Sequence, residues 1–188
     1  MFVKFLLLAA FAAQAPAAQD RTFQWKQADG SSAPARPSQA SKDGFGVMLL
    51  VTADYEKFLE AWAGPTPPNL PTTSEVSEGK PVHTMVIFSG CRAAADGNCK
   101  VTAEFSIMSP DGSVYDGPPK KGPIWTGAPA TGYNLQLGDS GLGFRLEPND
   151  RAGVYKIKAV VTDEVANSIV TVEEQVTAIK TPAAKPAK

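Results

Sequence analysis

Short segments with a period of two dominate the pattern of hydrophobic and polar positions. From Lys100 to Met108 every second residue is apolar, and the same alternation recurs from Val154 to Thr162 and from Ser168 to Thr177. This period is typical of β-strands with one buried and one solvated face. Two further runs, Phe45–Thr52 and Val82–Ser89, are continuously apolar, which is typical of strands covered on both faces.

Turn-forming residues separate these strands. Pro110-Asp111-Gly112 predicts a tight turn after Lys100–Met108, with Ser113–Tyr115 returning as the partner strand, because Pro fixes φ and Gly supplies a positive φ. Residues 163–167 predict a hairpin between the last two strands. The Gly- and Pro-rich stretch Asp116–Thr131 predicts a long loop around Trp125. Weaker strand candidates are Ser74–Glu78, Tyr133–Leu137 and Leu142–Leu146.

One segment has helical periodicity instead. Its apolar residues, spaced as on one face of a helix, are Tyr55, Phe58, Leu59 and Trp62. Asp54 precedes the segment as a candidate N-cap, and Gly64-Pro65 ends it. We predict a short amphipathic helix whose aromatic stripe packs on a sheet. A ligand-binding stripe is the alternative.

These elements together predict the fold class and the division of the chain. About eight short strands with one small helix favour an all-β sandwich over a βαβ architecture. We expect a signal peptide at residues 1–17, a flexible leader at 18–43, the β-sandwich domain at 44–179 and a disordered Ala/Pro/Lys tail at 180–188. Phe23-Gln24-Trp25 in the leader could dock loosely or add to a sheet edge.

The first residues indicate export. Lys4 gives a positive start, and Phe5–Ala13 is an apolar run too short to span a bilayer. Ala15-Pro16-Ala17 offers a cleavage site, so that the mature chain begins near Ala18. No cysteine follows for lipid attachment, and no later run approaches the ~20 apolar residues of a membrane span. We therefore predict a periplasmic or secreted protein without membrane insertion.

Cysteine usage and charge narrow the chemistry further. Cys91 and Cys99 are the only cysteines, and in an oxidising compartment we expect them to form a disulfide that staples a loop. A redox or metal-binding pair is the alternative, although redox pairs usually lie closer together and metals need more ligands. The net charge of −1 lacks the basic surface expected of a protein that binds nucleic acid or anionic membranes.

A resemblance appears at residues 142–163. The segment containing Asp150, then Gly153-Val154-Tyr155 and an alternating strand resembles the closing half of bacterial immunoglobulin-like domains. The resemblance implies a tyrosine corner, with the Tyr155 hydroxyl bonded to main chain near Asp150. Ile157 stands where antibody-type domains have their second cysteine. Residues 79–91 are also similar to proteobacterial periplasmic proteins of unassigned role, and these structural motifs carry over no catalytic residue.

Candidate chemistry is sparse. His83 is the only histidine, and we expect it to pack in a strand rather than act as a general base. Motifs of hydrolases, zinc proteases and nucleotide-binding loops are missing, so we predict no enzyme and no cofactor. Aspartates at predicted turns could gather calcium, but turn chemistry explains each of them, and no metal site is predicted. These residues are Asp111, Asp116, Asp139, Asp150 and Asp163.

Aromatic residues of the predicted loop region are the candidate binding surface. Trp125 and Tyr133 could contact proteins, peptides or sugars, whereas the alternative is that Trp125 plugs the end of the sandwich. We predict an exported, non-enzymatic immunoglobulin-like module that contacts an envelope protein or a ligand through sheet edges or this loop. A carbohydrate-binding or accessory domain, with a glycan as partner, is the second hypothesis.

Overall fold

The computed structural model describes residues 24–26, 29–64, 68–132 and 134–180. Within these ranges the chain forms ten β-strands and one α-helix. They are β1 (Gln39–Lys42), β2 (Phe45–Thr52), α1 (Tyr55–Ala63), β3 (Glu75–Ser77), β4 (Pro81–Ser89), β5 (Cys99–Met108), β6 (Val114–Gly127), β7 (Gln136–Leu137), β8 (Gly143–Arg145), β9 (Gly153–Asp163) and β10 (Ser168–Ile179). The predicted signal peptide, Phe23, Tyr133 and residues 181–188 lie outside the described residues.

Two five-stranded sheets pack face to face. One, the helix-covered sheet, has the order β1-β2-β4-β7, with β8 also pairing with β4; the other, the open-faced sheet, has the order β3-β10-β9-β5-β6. Neighbouring strands are antiparallel, apart from the parallel pair β3 and β10. The main core lies between the sheets, where alternate residues of both bury their side chains. The predicted all-β immunoglobulin-like sandwich with one short helix is confirmed.

Helix α1 forms a third layer on the outer face of its sheet. Asp54 caps it by accepting the Lys57 N–H at 3.1 Å, as the sequence predicts. Phe58 is fully buried, and it packs with Met85, Ile87 and Leu137 in a second, smaller core. The aromatic stripe therefore packs on the sheet, as predicted. No helix among the described residues is long and apolar enough to cross a membrane.

Strand β6 is much longer than predicted. The stretch Asp116–Thr131, expected to be a long loop, continues as strand to Gly127. Gly and Pro are tolerated because β6 is an edge strand, where one side of the backbone needs no partner. Part of this Gly- and Pro-rich sequence forms a bulge. There the pairing of β6 with β5 changes register between Phe105 and Ile107 of β5.

Strand β1 lies inside the stretch predicted to be a flexible leader. Residues 39–42 pair with β2 across a turn in which Asp43 and Gly44 both have positive φ, 52° and 81°. Two such residues suit a tight hairpin. The expectation of a flexible leader at 18–43 is therefore wrong for residues 39–42. Their sequence is polar and does not alternate, and backbone hydrogen bonds to β2 hold them as a strand.

Candidate functional site

The two long sides of the sandwich differ in how their strand edges are closed. On the β10 side, three backbone N–H groups that point away from β9 have partners. Glu173 donates to the Pro37 carbonyl (2.8 Å), Gln175 to the Glu174 carboxylate (2.9 Å) and Thr177 to the Ser74 carbonyl (2.8 Å). Strand β3 then pairs with the last residues of β10. These three outward donors of β10 are therefore already used within the chain.

The opposite side is bridged in its upper half, at Pro123 and Ile124 near the end of β6. There the Asp139 N–H donates to the Ile124 carbonyl at 2.7 Å, and the Ser140 hydroxyl donates to the Pro123 carbonyl at 2.9 Å. These bonds connect the β7–β8 segment of one sheet to β6 of the other. Below them residues of β6, β8 and the start of β4 border an opening.

This opening, which we call the lower groove, has a volume of about 390 Å³. The side chains along it include an aromatic pair and charged residues from β6, β8 and the start of β4. They are Pro81, Tyr115, Asp116, Phe144, Arg145 and Glu147. The groove is open to solvent rather than enclosed.

The floor of the lower groove is aromatic. The Tyr115 ring stands edge-on to Phe144, with ring centroids 6.3 Å apart, and edge-on to Tyr155, at 5.4 Å. Phe144 and Tyr155 are buried and Tyr115 is half-buried. Edge-to-face packing of this kind is the favoured arrangement of aromatic rings and stabilises the floor.

A hydrogen-bond network holds Tyr115. Its hydroxyl lies 2.7 Å from a carboxylate oxygen of Asp150 and 2.9 Å from the Arg145 carbonyl oxygen, and it donates its single proton to one of these two acceptors. Burial raises the pKa of Tyr115 well above its ordinary value, and the Asp150 carboxylate raises it further. Asp150 also accepts the Glu147 N–H at 2.6 Å. The hydroxyl therefore stays protonated and joins β6 to the β8–β9 turn.

The predicted corner residues lie directly behind this floor. The Tyr155 hydroxyl donates to the Arg151 carbonyl at 3.0 Å, and burial raises the pKa of Tyr155. Gly153 has a φ of 132°, and a Cβ there would crowd Pro110 at 2.9 Å. Tyr155 therefore bonds main chain next to Asp150, while the Asp150 carboxylate bonds Tyr115. Sequence reasoning missed Tyr115, because only the pairing of β5 with both β6 and β9 brings the two tyrosines together.

The rim of the lower groove carries two exposed ion pairs. Arg145 and Glu147 are 3.1 Å apart at their nearest charged atoms, and Lys120 and Asp116 are 2.7 Å apart. Exposed pairs of this kind contribute little to stability. Their charges are therefore available to a bound partner at low cost.

Strands β6 and β8, which contribute residues to the lower groove, also have outward-facing backbone groups. Pro123 has no N–H, and its carbonyl bonds Ser140 on the side away from β5. Neighbouring residues of a strand direct their polar groups to opposite sides, so those of Lys121 also point away from β5. The Arg145 carbonyl faces Tyr115, and by the same alternation the polar groups of Gly143 point away from β4.

Trp125 lies within strand β6 and not on a loop. Its ring is half-buried against the core, edge-on to Phe88 with centroids 6.5 Å apart. The indole N–H donates to the Ala128 carbonyl at 3.3 Å, and the ring packs over Gly127, where a Cβ would come within 3.1 Å. These contacts match the interpretation of Trp125 as a plug at the upper end of the sandwich. Its predicted companion Tyr133 lies outside the described residues.

The two cysteines are bonded to each other, with their Cα atoms 6.0 Å apart. Both are buried. The loop that they close is tied to the β9–β10 hairpin, because the buried Asp163 carboxylate accepts the Arg92 N–H at 2.7 Å as well as N–H groups of its own turn. The disulfide therefore stabilises the upper end of the sandwich.

His83 and Asp111 each have a local contact. The His83 ring packs on Tyr55 of α1, with centroids 5.1 Å apart. Asp111 accepts the Ser113 N–H at 3.0 Å, as turn chemistry predicts. No group of three or more potential metal ligands occurs among the described residues.

No protein-family model and no curated protein sequence matches the chain. The CARDB domain of a Pyrococcus furiosus protein, solved in complex with di-metal ions, is similar at 16% identity and a TM-score of 0.37, over 58% of this chain and 87% of that chain. A family 123 glycoside hydrolase from Clostridium perfringens is similar at 9% identity and a TM-score of 0.38, over 72% of this chain and 27% of that chain. An immunoglobulin-like protein from Pseudomonas aeruginosa is similar at 16% identity and a TM-score of 0.29, over 69% of this chain and 96% of that chain. At these identities the similarity concerns the fold alone.

Proposed function

We propose that this protein is an exported, non-enzymatic immunoglobulin-like module that binds an extended segment of an envelope protein in the lower groove. The observation that carries the proposal is the difference between the two sides of the sandwich. The β10 edge is closed by its own chain, whereas the opposite side opens over an aromatic floor between two strand edges.

An extended segment suits these margins for physical reasons. Added strands gain affinity from main-chain hydrogen bonds and specificity from side-chain pockets. The outward backbone groups of Lys121 and Gly143 supply the main-chain hydrogen bonds. The rings of Tyr115 and Phe144 supply the surface on which the side chains of the segment pack. The prolines and lysines of β6 limit unspecific pairing, since such residues protect edge strands. The shape and charge of the lower groove therefore determine which segment binds.

Location and chemistry belong to the same proposal. The amino-terminal pattern of Lys4 followed by Phe5–Ala13 supports export, and the Cys91–Cys99 disulfide suits an oxidising compartment. We propose the periplasm or the exterior as the site of action, with binding and no chemical turnover as the activity. We propose no catalytic role for His83, whose ring packs on the Tyr55 ring.

Affinity capture from envelope extracts with residues 18–188 tests the proposal. Arg145→Glu reverses a charge on the groove rim, and Arg151→Glu is the matched control, since Arg151 is also exposed and ion-paired, to Asp111 at 3.1 Å. We expect Arg145→Glu to lose the captured protein and Arg151→Glu to retain it. Bound protein should slow amide hydrogen exchange at Lys121, Gly143 and Arg145.

Other outcomes would reject the groove as the binding site. Equal capture by both arginine variants would do so. Loss of capture with Trp125→Ala alone would move the site to the upper end of the sandwich. In that case, binding of soluble glycans by the unmodified protein would support the carbohydrate-binding hypothesis instead.

A further inference from the structure

Lys180, which follows β10, is held in place close to the lower groove. It was predicted to open a disordered tail, but its ammonium has three acceptors. The Glu78 carboxylate lies at 3.1 Å, and the carbonyl oxygens of Glu147 and Pro148 lie at 2.9 and 3.1 Å. An ammonium has three donors, so each donor has an acceptor. Lys180 therefore joins the end of β10 to the β3–β4 turn and to the segment after β8.

The ion pair of Lys180 and Glu78 is less exposed than the other ion pairs in the described part of the chain. These two side chains are 22% and 26% exposed, whereas those of Arg145 and Glu147 on the groove rim are 56% and 58% exposed. Because water screens a charge less as its exposure falls, solvent weakens the hold of Glu78 on the ammonium less than it weakens the rim pair.

The main chain of Glu147 is bonded from two sides. Its carbonyl oxygen accepts the Lys180 ammonium, and its N–H donates to a carboxylate oxygen of Asp150 at 2.6 Å. The same carboxylate oxygen lies 2.7 Å from the Tyr115 hydroxyl on the groove floor. The side chain of Glu147 lines the lower groove and pairs with Arg145. The backbone that carries this rim carboxylate therefore lies between two anchors, Tyr115 and Lys180.

We propose that Lys180 is a positioning residue of the lower groove, which fixes Glu147 and its partner Arg145 without contacting a bound segment. The inference rests on the proposed function in taking this groove as the binding site. Lys180 acts through the carbonyls of Glu147 and Pro148. Without the ammonium, the Glu147 main chain keeps its bonds to Asp150, which lies in the same turn. The rim then loses its connection to β10 and becomes mobile.

Nitrogen-15 relaxation of residues 18–188 without a partner tests the inference. Lys180→Met removes the ammonium and keeps the aliphatic stem, and Lys158→Met is the matched control, because Lys158 is exposed on the open-faced sheet. We expect Lys180→Met to lower the backbone order parameters of Arg145 and Glu147 from about 0.85 to below about 0.6. Lys158→Met should leave them unchanged.

Glu78→Gln is a second, milder variant, because it removes only the charge that holds the ammonium from the side of the β3–β4 turn. It should lower the same order parameters by a smaller amount. Val161 and Val172 in the core strands should keep wild-type order parameters in every variant. A role of Lys180 in global stability alone would leave these native-state motions unchanged, so the measurement separates positioning from stability.

Two results would overturn the inference. The order parameters of Arg145 and Glu147 could be the same in wild type, Lys180→Met and Glu78→Gln, or Lys158→Met could lower them as much as Lys180→Met does. Because no partner is present, this readout is independent of the capture experiment. A mobile rim in Lys180→Met together with equal capture by the two arginine variants would reject the proposed function and retain the role of Lys180 in holding the rim.

Discussion

Replacing Tyr115 by Phe removes one hydroxyl from the floor of the lower groove and keeps the ring against Phe144 and Tyr155. The hydroxyl donates one proton, to the Asp150 carboxylate at 2.7 Å or the Arg145 carbonyl at 2.9 Å. A hydrogen bond to a charged group contributes ~1.5–3 kcal/mol. Because Tyr115 is half-buried, we expect a value near the lower limit, about 1.5–2 kcal/mol of lost unfolding free energy.

Urea unfolding followed by tryptophan fluorescence measures this loss. Tyr155→Phe is the matched control, since its hydroxyl donates to a neutral carbonyl of Arg151 at 3.0 Å, and such a bond contributes about 1 kcal/mol. Combined with Asp150→Asn, Tyr115→Phe should show a coupling energy of roughly 1 kcal/mol. A smaller loss for Tyr115→Phe than for Tyr155→Phe, or strict additivity with Asp150→Asn, would refute the reasoning.

Further predictions concern pH, backbone strain, the disulfide and the helix. Because burial and Asp150 raise the pKa of Tyr115 in the folded protein, its contribution is complete below its unfolded pKa of about 10 and declines as pH rises through the folded value. Wild-type stability should then fall more steeply above pH ~10 than that of Tyr115→Phe, and parallel titrations would contradict this. Gly90→Ala should lower the free energy of unfolding in urea by more than about 2 kcal/mol, since Gly90 has a φ of 76° and a Cβ would collide with the Gly44 carbonyl. Gly97→Ala is the control, because Gly97 has a similar φ of 82° but open space around it, and it should lower the free energy less. Equal losses would argue against the collision. Replacing both cysteines by Ser should cost about 2–3 kcal/mol in the same assay, and an effect near zero would contradict the role of the staple. Phe58→Ala should lose about 3–5 kcal/mol, because its fully buried ring leaves a cavity; a loss below about 1 kcal/mol would show that α1 is dispensable.

Local patterning predicted much of the fold. Strands β5, β9 and β10 alternate apolar and polar residues because one face of each lies on the core, and their bounds lie close to the predicted ones. The helix was predicted from an N-cap and a 3.6-residue period, both of which depend on neighbours within a few positions. Such short-range signals are readable without knowledge of the rest of the chain.

The groove was not predictable by the same means. Tyr115 and Asp150 are 35 residues apart, and β4 brings β8 to the groove through pairing of Pro81 with Arg145. Neither contact leaves a periodic signal. Strand β6 was mistaken for a loop because Gly and Pro usually interrupt strands, and only its edge position makes them acceptable.

The closed edge of β10 has a consequence for assembly. A growing ribbon of molecules needs two compatible edges on every member, one to join the existing stack and one to receive the next molecule. Glu173, Gln175 and Thr177 have already committed their outward donors within the molecule. Along these three residues of β10 an added strand would find no free donor, so edge-to-edge contact between copies of the open-faced sheet is favoured through β6 instead.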